Sequence, residues 1–115
     1  MNIFIISSVR DASDEIRKKL ENHVTELEKQ GHKVHLPHRD TNQSSKGIDI
    51  CKQNKQAIID AHEVHIFYSP TSQGSHFDLG VAFALNKKIS VIENIPYGEG
   101  KSYPRMIDEW QNESI

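Results

Sequence analysis

The sequence predicts a three-layer α/β sandwich, and three observations predict it. Four short runs of strand length, at residues 2–7, 33–36, 63–68 and 88–93, are rich in apolar and β-branched residues. The segments between them place apolar residues at helical spacing, so strand and helix alternate along the chain. The first run is almost continuously apolar, as expected of a strand covered on both faces of a parallel sheet. Right-handed crossovers then give an open, Rossmann- or flavodoxin-like sheet of about four to five parallel strands, in one domain spanning residues 1–115.

Residues 2–7 form the central strand, and residues 8–12 the loop at its C-terminal end. Ser13 is a suitable N-cap for a helix whose first turn carries Asp14 and Glu15, acids that complement the positive end of the helix dipole. Ile16, Leu20, Val24 and Leu27 form its inner face, and Gly31 supplies the left-handed residue expected after its end. Pro37 closes the second strand, and the polar segment 38–47 has no apolar period and reads as a loop. A second helix runs from Ile48 to about Ala61 with Ile48, Cys51, Ile58 and Ile59 inside. Asn54 lies three residues after Cys51 and four before Ile58, shares that face, and needs a polar partner there. The third strand leads through a loop to a helical run at 81–85. The fourth is followed by a loop with Pro96, Gly98 and Gly100, and residues 104–111 form a terminal helix around Met106, Ile107 and Trp110.

Composition narrows the function. A net charge of -2 without any block of like charge leaves no electrostatic footprint for nucleic acid or an anionic membrane. The longest apolar run is too short to span a bilayer. The single cysteine, Cys51, makes no intramolecular disulfide and reads as a packing thiol. The N-terminus lacks the marks of a secretory leader, so the expected compartment is the cytoplasm. His32, His35 and His38 are evenly spaced, yet strand geometry sends His32 and His35 to opposite faces. No metal site and no cofactor are expected.

The functional signal lies in Ser69-Pro70-Thr71-Ser72-Gln73-Gly74-Ser75-His76-Phe77-Asp78-Leu79-Gly80. Pro70 and Gly74 allow a tight turn, and the hydroxyls lead into a helix whose unpaired N–H groups face back on the loop, an anion site in outline. Asp78 is expected in the first turn of that helix, where the dipole favours the ionised carboxylate. Ser8 and Arg10, after the first strand, add a hydroxyl and a guanidinium fork, and Ser72 with Ser75 add hydroxyls at the helix start. Singly, these residues have plainer readings, Asp78 as a helix-stabilising acid and Arg10 as a surface charge. Together they converge on the C-terminal edge of the sheet, where open α/β sheets bind ligands. Neither G-x-G-x-x-G nor a Walker lysine motif is present. A nucleoside monophosphate fits, with its phosphate on the hydroxyl loop and C1′ of its sugar against Asp78.

On these residues the chain resembles the nucleoside 2-deoxyribosyltransferase superfamily, and within it the 2′-deoxynucleoside 5′-phosphate N-hydrolases, over nearly its whole length. Ile6-Ser7-Ser8-Val9-Arg10 is similar to the family's first-strand motif ending Ser-Ile-Arg, whose serine and arginine hold the 5′-phosphate. The segment from Ser72 to Gly80 is similar to its Ser-x-Gly-x-Gly-Tyr-Glu-Leu-Gly motif, in which the serine binds phosphate and the glutamate attacks C1′. The resemblance implies substrate or phosphate contacts from Ser8, Arg10, Ser72, Gly74 and His38, and a catalytic role for Asp78 and Asn54. It also implies that Ser102 reaches the phosphate of a neighbouring subunit, hence a homodimer with shared sites. Asp78 stands in place of the family glutamate and is one methylene shorter. Asn54 stands in place of an aspartate and exchanges no proton at neutral pH.

The expected activity is hydrolysis of the N-glycosidic bond of a (deoxy)nucleoside 5′-monophosphate to free base and (deoxy)ribose 5-phosphate. One alternative is a nucleoside 2-deoxyribosyltransferase, in which a second base replaces water; the phosphate ligands argue against it. Another is a nucleotide-binding module without turnover, which the residues at 54 and 78 favour.

Overall fold

A computed structural model of the chain describes residues 1–8, 10 and 12–113. The elements follow in the order β1 (Asn2–Ile6), α1 (Asp14–Lys29), β2 (Lys33–His35), α2 (Pro37–Asp40), α3 (Gly47–Asp60), β3 (Glu63–Phe67), α4 (Gln73–Ala84), β4 (Lys88–Glu93) and α5 (Tyr103–Glu113). The four strands form one all-parallel sheet in the order β2-β1-β3-β4, which makes β1 an interior strand as expected.

Alternation along β1 builds the layers. Ile3 and Ile5 face Leu20, Val24 and Leu27 of α1, whereas Phe4 and Ile6 face Ile58 of α3, Leu79 and Ala82 of α4 and Ile107 of α5. Side chains on both faces of β1 are thus buried, which is why its sequence is apolar throughout.

Several expected caps are present. The Ser13 side chain accepts from the backbone N–H of Ile16 at 3.2 Å, and Gly31 has φ +92° just past α1. Asn86 takes the left-handed conformation after α4, with φ 55°. The end of α3 is closed from a distance, because Lys87 Nζ donates to the carbonyls of Ile59 and Ala61 at 2.8 Å each.

Four readings of the sequence need correction. The segment after β2 is not wholly a loop, since Pro37 opens a single helical turn whose Asp40 carboxylate accepts from the Leu36 N–H at 2.9 Å. A turn this short leaves no period to detect. Ile48 and Ile59, expected inside, are 61% and 41% exposed, because α3 turns Asn54 and Ile58 inward instead. The helix after β3 already starts at Gln73, so Gly74 lies inside its first turn and makes no tight turn. Asp78 consequently falls in the second turn of α4, beyond the reach of the dipole at its start.

Candidate active site

The sheet order creates the site. β1 feeds a helix on one face and β3 a helix on the other, so their C-terminal loops part and leave a crevice between them, the switch point of an open parallel sheet. A cavity of about 520 Å³ occupies it. Its walls are Ser7, Ser8 and Arg10 after β1, Pro37, His38 and Gln43 after β2, Ile50 and Asn54 on α3, and Thr71 to Ser75 with Asp78 from the β3–α4 segment. The structure therefore brings together Ser8, Arg10, His38, Asn54, Ser72, Gly74 and Asp78. Ser102 is not among them; its hydroxyl accepts from the Arg105 N–H at 3.4 Å and caps α5 beside a different surface depression.

At one wall the start of α4 faces the cavity. Ser72 is the N-cap, its hydroxyl accepting from the Ser75 N–H at 3.1 Å, and the first N–H groups of the helix, at Gln73 and Gly74, have no partner within it. Behind the cap, His76 Nδ1 donates to the Ser72 carbonyl at 2.6 Å and His76 Nε2 accepts from the Tyr68 hydroxyl at 2.9 Å. Tyr68 and His76 thereby hold the N-cap residue in place. The helix start gives this end of the cavity a positive character, and Arg10 adds a cation to the same lining.

Asp78 lies further along the same helix, and it is the only carboxylate among the described lining residues. It is 7% exposed, and removal from water raises its pKa to about 7, opposed by one hydrogen bond from Asn54 Nδ2 to Oδ2 at 3.4 Å. This is the reverse of the first-turn expectation. Burial in the second turn destabilises the anion that the helix start would have favoured.

Behind Asn54 runs a chain of hydrogen bonds that the sequence did not announce. Thr41 Oγ1 donates to Asn54 Oδ1 at 2.7 Å, and Thr41 Oγ1 lies 2.8 Å from His35 Nε2. Since the Thr41 hydrogen is committed to Asn54, its oxygen accepts from His35, which assigns the hydrogen of His35 to Nε2. Burial holds His35 below its ordinary pKa, with Asp40 raising and Arg39 lowering it, in keeping with this neutral ring. His35 stacks on Phe4, centroids 5.4 Å apart and planes 8° from parallel. The effect is orientation. With Oδ1 occupied by Thr41, the Asn54 amide must present its N–H to Asp78. Thr41→Val, close in shape but without the hydroxyl, leaves the buried Asn54 oxygen and the half-buried His35 N–H unpaired and is expected to destabilise the fold by about 1–3 kcal/mol in urea unfolding.

No protein-family model matches the sequence, and no curated protein matches it. Solved structures do. A CMP N-glycosidase of Clostridium botulinum aligns with a TM-score of 0.62 and 24% identity, covering 79% of this chain and 70% of that one. A 2-deoxyribosyltransferase of Bacillus psychrosaccharolyticus aligns with a TM-score of 0.69 and 18% identity, covering 99% and 90%. The chain shares their fold.

The segment 38–47 contributes His38 and Gln43 to the cavity wall and Thr41 to the hydrogen bond behind Asn54. Asn54, which needs a polar partner on its buried face, has two, Thr41 and Asp78. His35, Thr41, Gln43, Ser7 and Ile50 carried no signal of their own, because each becomes relevant only through a neighbour distant in sequence. His38 lines the cavity, and its pKa is lowered, by burial first and then by Arg39. It therefore offers a neutral ring at pH 7. No group of three or more metal-ligating side chains occurs among the described residues, and no described helix is long and apolar enough to cross a membrane.

Proposed function

We propose that this chain hydrolyses the N-glycosidic bond of nucleoside 5′-monophosphates, releasing free base and a (deoxy)ribose 5-phosphate. The observation that carries the reading is a buried carboxyl, Asp78, in a cavity otherwise furnished with hydroxyls, a guanidinium and a helix N-terminus. A ligand that is anionic at one end and electrophilic at the other satisfies both the helix start and the carboxyl further along it. The fold shared with a CMP N-glycosidase and a 2-deoxyribosyltransferase supports chemistry at an N-glycosidic bond.

In this reading Ser8, Arg10, Ser72 and the N–H groups at Gln73 and Gly74 bind the phosphate, and that remote binding energy holds C1′ in line with Asp78. An Asp78 oxygen attacks C1′ while the glycosidic bond breaks, its electron pair leaving on the base nitrogen, which takes a proton from water, while the neutral His38 ring at the cavity wall offers the base a hydrogen bond. Water then attacks C1′, loses a proton, and releases the carboxylate with the sugar phosphate. The Asn54 amide steadies the carboxylate through both steps. Thr41→Val, which frees that amide to rotate, is expected to lower kcat about tenfold or more with little change in KM.

The test is base release, followed chromatographically, from a panel of nucleoside 5′-monophosphates and the matching nucleosides. Turnover of the monophosphates well above that of the nucleosides is the expected result, and equal turnover would remove the phosphate site from the reading. Only the ionised carboxylate attacks, so kcat is expected to rise with pH and level off above about 7. A kcat that is flat from pH 5.5 to 8.5 would take Asp78 out of the chemical step. Addition of a second base with formation of a new nucleotide would turn the hydrolase into a transferase. The proposal includes a homodimer in which Ser102 approaches the partner's cavity, and sedimentation of the purified chain reads its state directly.

A further inference from the structure

The mechanism leaves two side chains without a task. Among the described residues, Ser7 Oγ and Ser75 Oγ are the buried side-chain polar atoms that find no hydrogen-bond partner, and both residues line the Asp78 cavity. One follows β1 and the other lies in the first turn of α4, so no single local distortion accounts for the pair. Ser75 is 4% exposed. Buried polar groups in folded proteins are nearly always bonded, and two unbonded hydroxyls in one cavity point to a ligand.

Their position says which part of the ligand. Ser72, Ser75 and Asp78 recur every three residues along α4 and so share one side of it, over about 9 Å of helix axis at about 1.5 Å per residue. On the reading above, the phosphate lies by Ser72 and the anomeric carbon by Asp78, which leaves the sugar ring abreast of Ser75. The backbone N–H of Ser75 is already taken by the Ser72 hydroxyl at 3.1 Å, so what Ser75 offers is its side chain. A phosphate oxygen only accepts, whereas a sugar hydroxyl donates and accepts, as a serine hydroxyl does.

We propose that Ser75 and Ser7 form a subsite for the ribose hydroxyls, so that the chain prefers ribonucleoside monophosphates to their 2′-deoxy counterparts. This deepens the nucleotide reading and rests on it. The test uses CMP and dCMP, and AMP and dAMP, with affinities measured by calorimetry on the Asp78→Asn chain so that turnover does not consume the ligand. The ribonucleotide of each pair is expected to bind at least about tenfold tighter, since a site built to bond a hydroxyl penalises the analogue lacking it. Adding Ser75→Ala or Ser7→Ala is expected to bring the ratio within about threefold while deoxynucleotide affinity stays the same. Thermal melting without ligand serves as the fold control, and neither serine variant should melt lower than its parent, since each removes an unbonded hydroxyl. A ratio near one before the serines are changed, or tighter binding of the deoxynucleotide, overturns the proposal. An equal loss for both nucleotides overturns it as well and assigns the serines to the phosphate. Nucleotide binding without sugar discrimination removes this inference alone; no binding of any nucleotide removes the functional reading with it.

Discussion

Asp78→Asn is expected to cut base release by on the order of a thousandfold or more, and at the same time to make the folded chain more stable above neutral pH. The two effects have one cause. Folding carries the carboxyl from an ordinary pKa of 3.8 to about 7, because the cavity wall and the core beneath it displace water from around it. Between these pH values the folded chain keeps a proton that the unfolded chain has released, so stability falls as pH rises through the window. At about 1.4 kcal/mol per pH unit the cost at pH 8 is bounded by about 4 kcal/mol, and solvent in the open cavity reduces it. The amide variant carries no charge and escapes this cost. Its gain in melting temperature is therefore expected to be small at pH 4 and largest at pH 8. Unchanged base release would end the catalytic role of Asp78, and a lower melting temperature at pH 8 would end the burial argument. The rise to about 7 is also what a nucleophile needs if it is to be reactive and still largely ionised slightly above neutrality.

Phe4→Ala is expected to be the most damaging single truncation of the core, costing about 3–5 kcal/mol in urea unfolding. Phe4 is fully buried on an interior strand and is among the largest of the fully buried side chains. It belongs to the core cluster that α3, α4 and α5 cover on one side of the sheet, and it also lies opposite His35 in the β1–β2 register and stacks on it. Removal opens a cavity and withdraws the support of the ring that begins the His35–Thr41–Asn54 chain. Phe4→Leu, which keeps most of the volume, is the variant in which activity remains readable. A loss below about 1 kcal/mol for Phe4→Ala would mean that the core collapses around the gap, against the packing described here.

Much of the fold was legible because its determinants are local. Ser13 caps α1 and Gly31 ends it; the apolar residues of β1 mark an interior strand; the β3–α4 segment offers hydroxyls at a helix start. The one-turn helix at 37–40 was not legible, since its determinants, a proline and a back-bonded aspartate, fall inside a polar stretch too short for periodicity. The exposure of Ile48 and Ile59 was not legible either. An amphipathic pattern names an apolar face, but the neighbours that cover it are set by other segments.

The same division holds for the candidate site. Residue types and spacing alone placed Ser8, Arg10, Ser72 and Asp78 on one sheet edge, because strand and helix periods and the parallel topology constrain which ends meet, whereas for Asn54 they gave only a buried polar residue in need of a partner. What only the tertiary structure decided is the state of those groups: the Asp78 carboxyl held near neutrality, the Asn54 amide turned by Thr41 and His35, and the unbonded hydroxyls of Ser7 and Ser75. Desolvation and hydrogen-bond satisfaction are sums over atoms brought together from segments far apart in the chain, and no local pattern contains them.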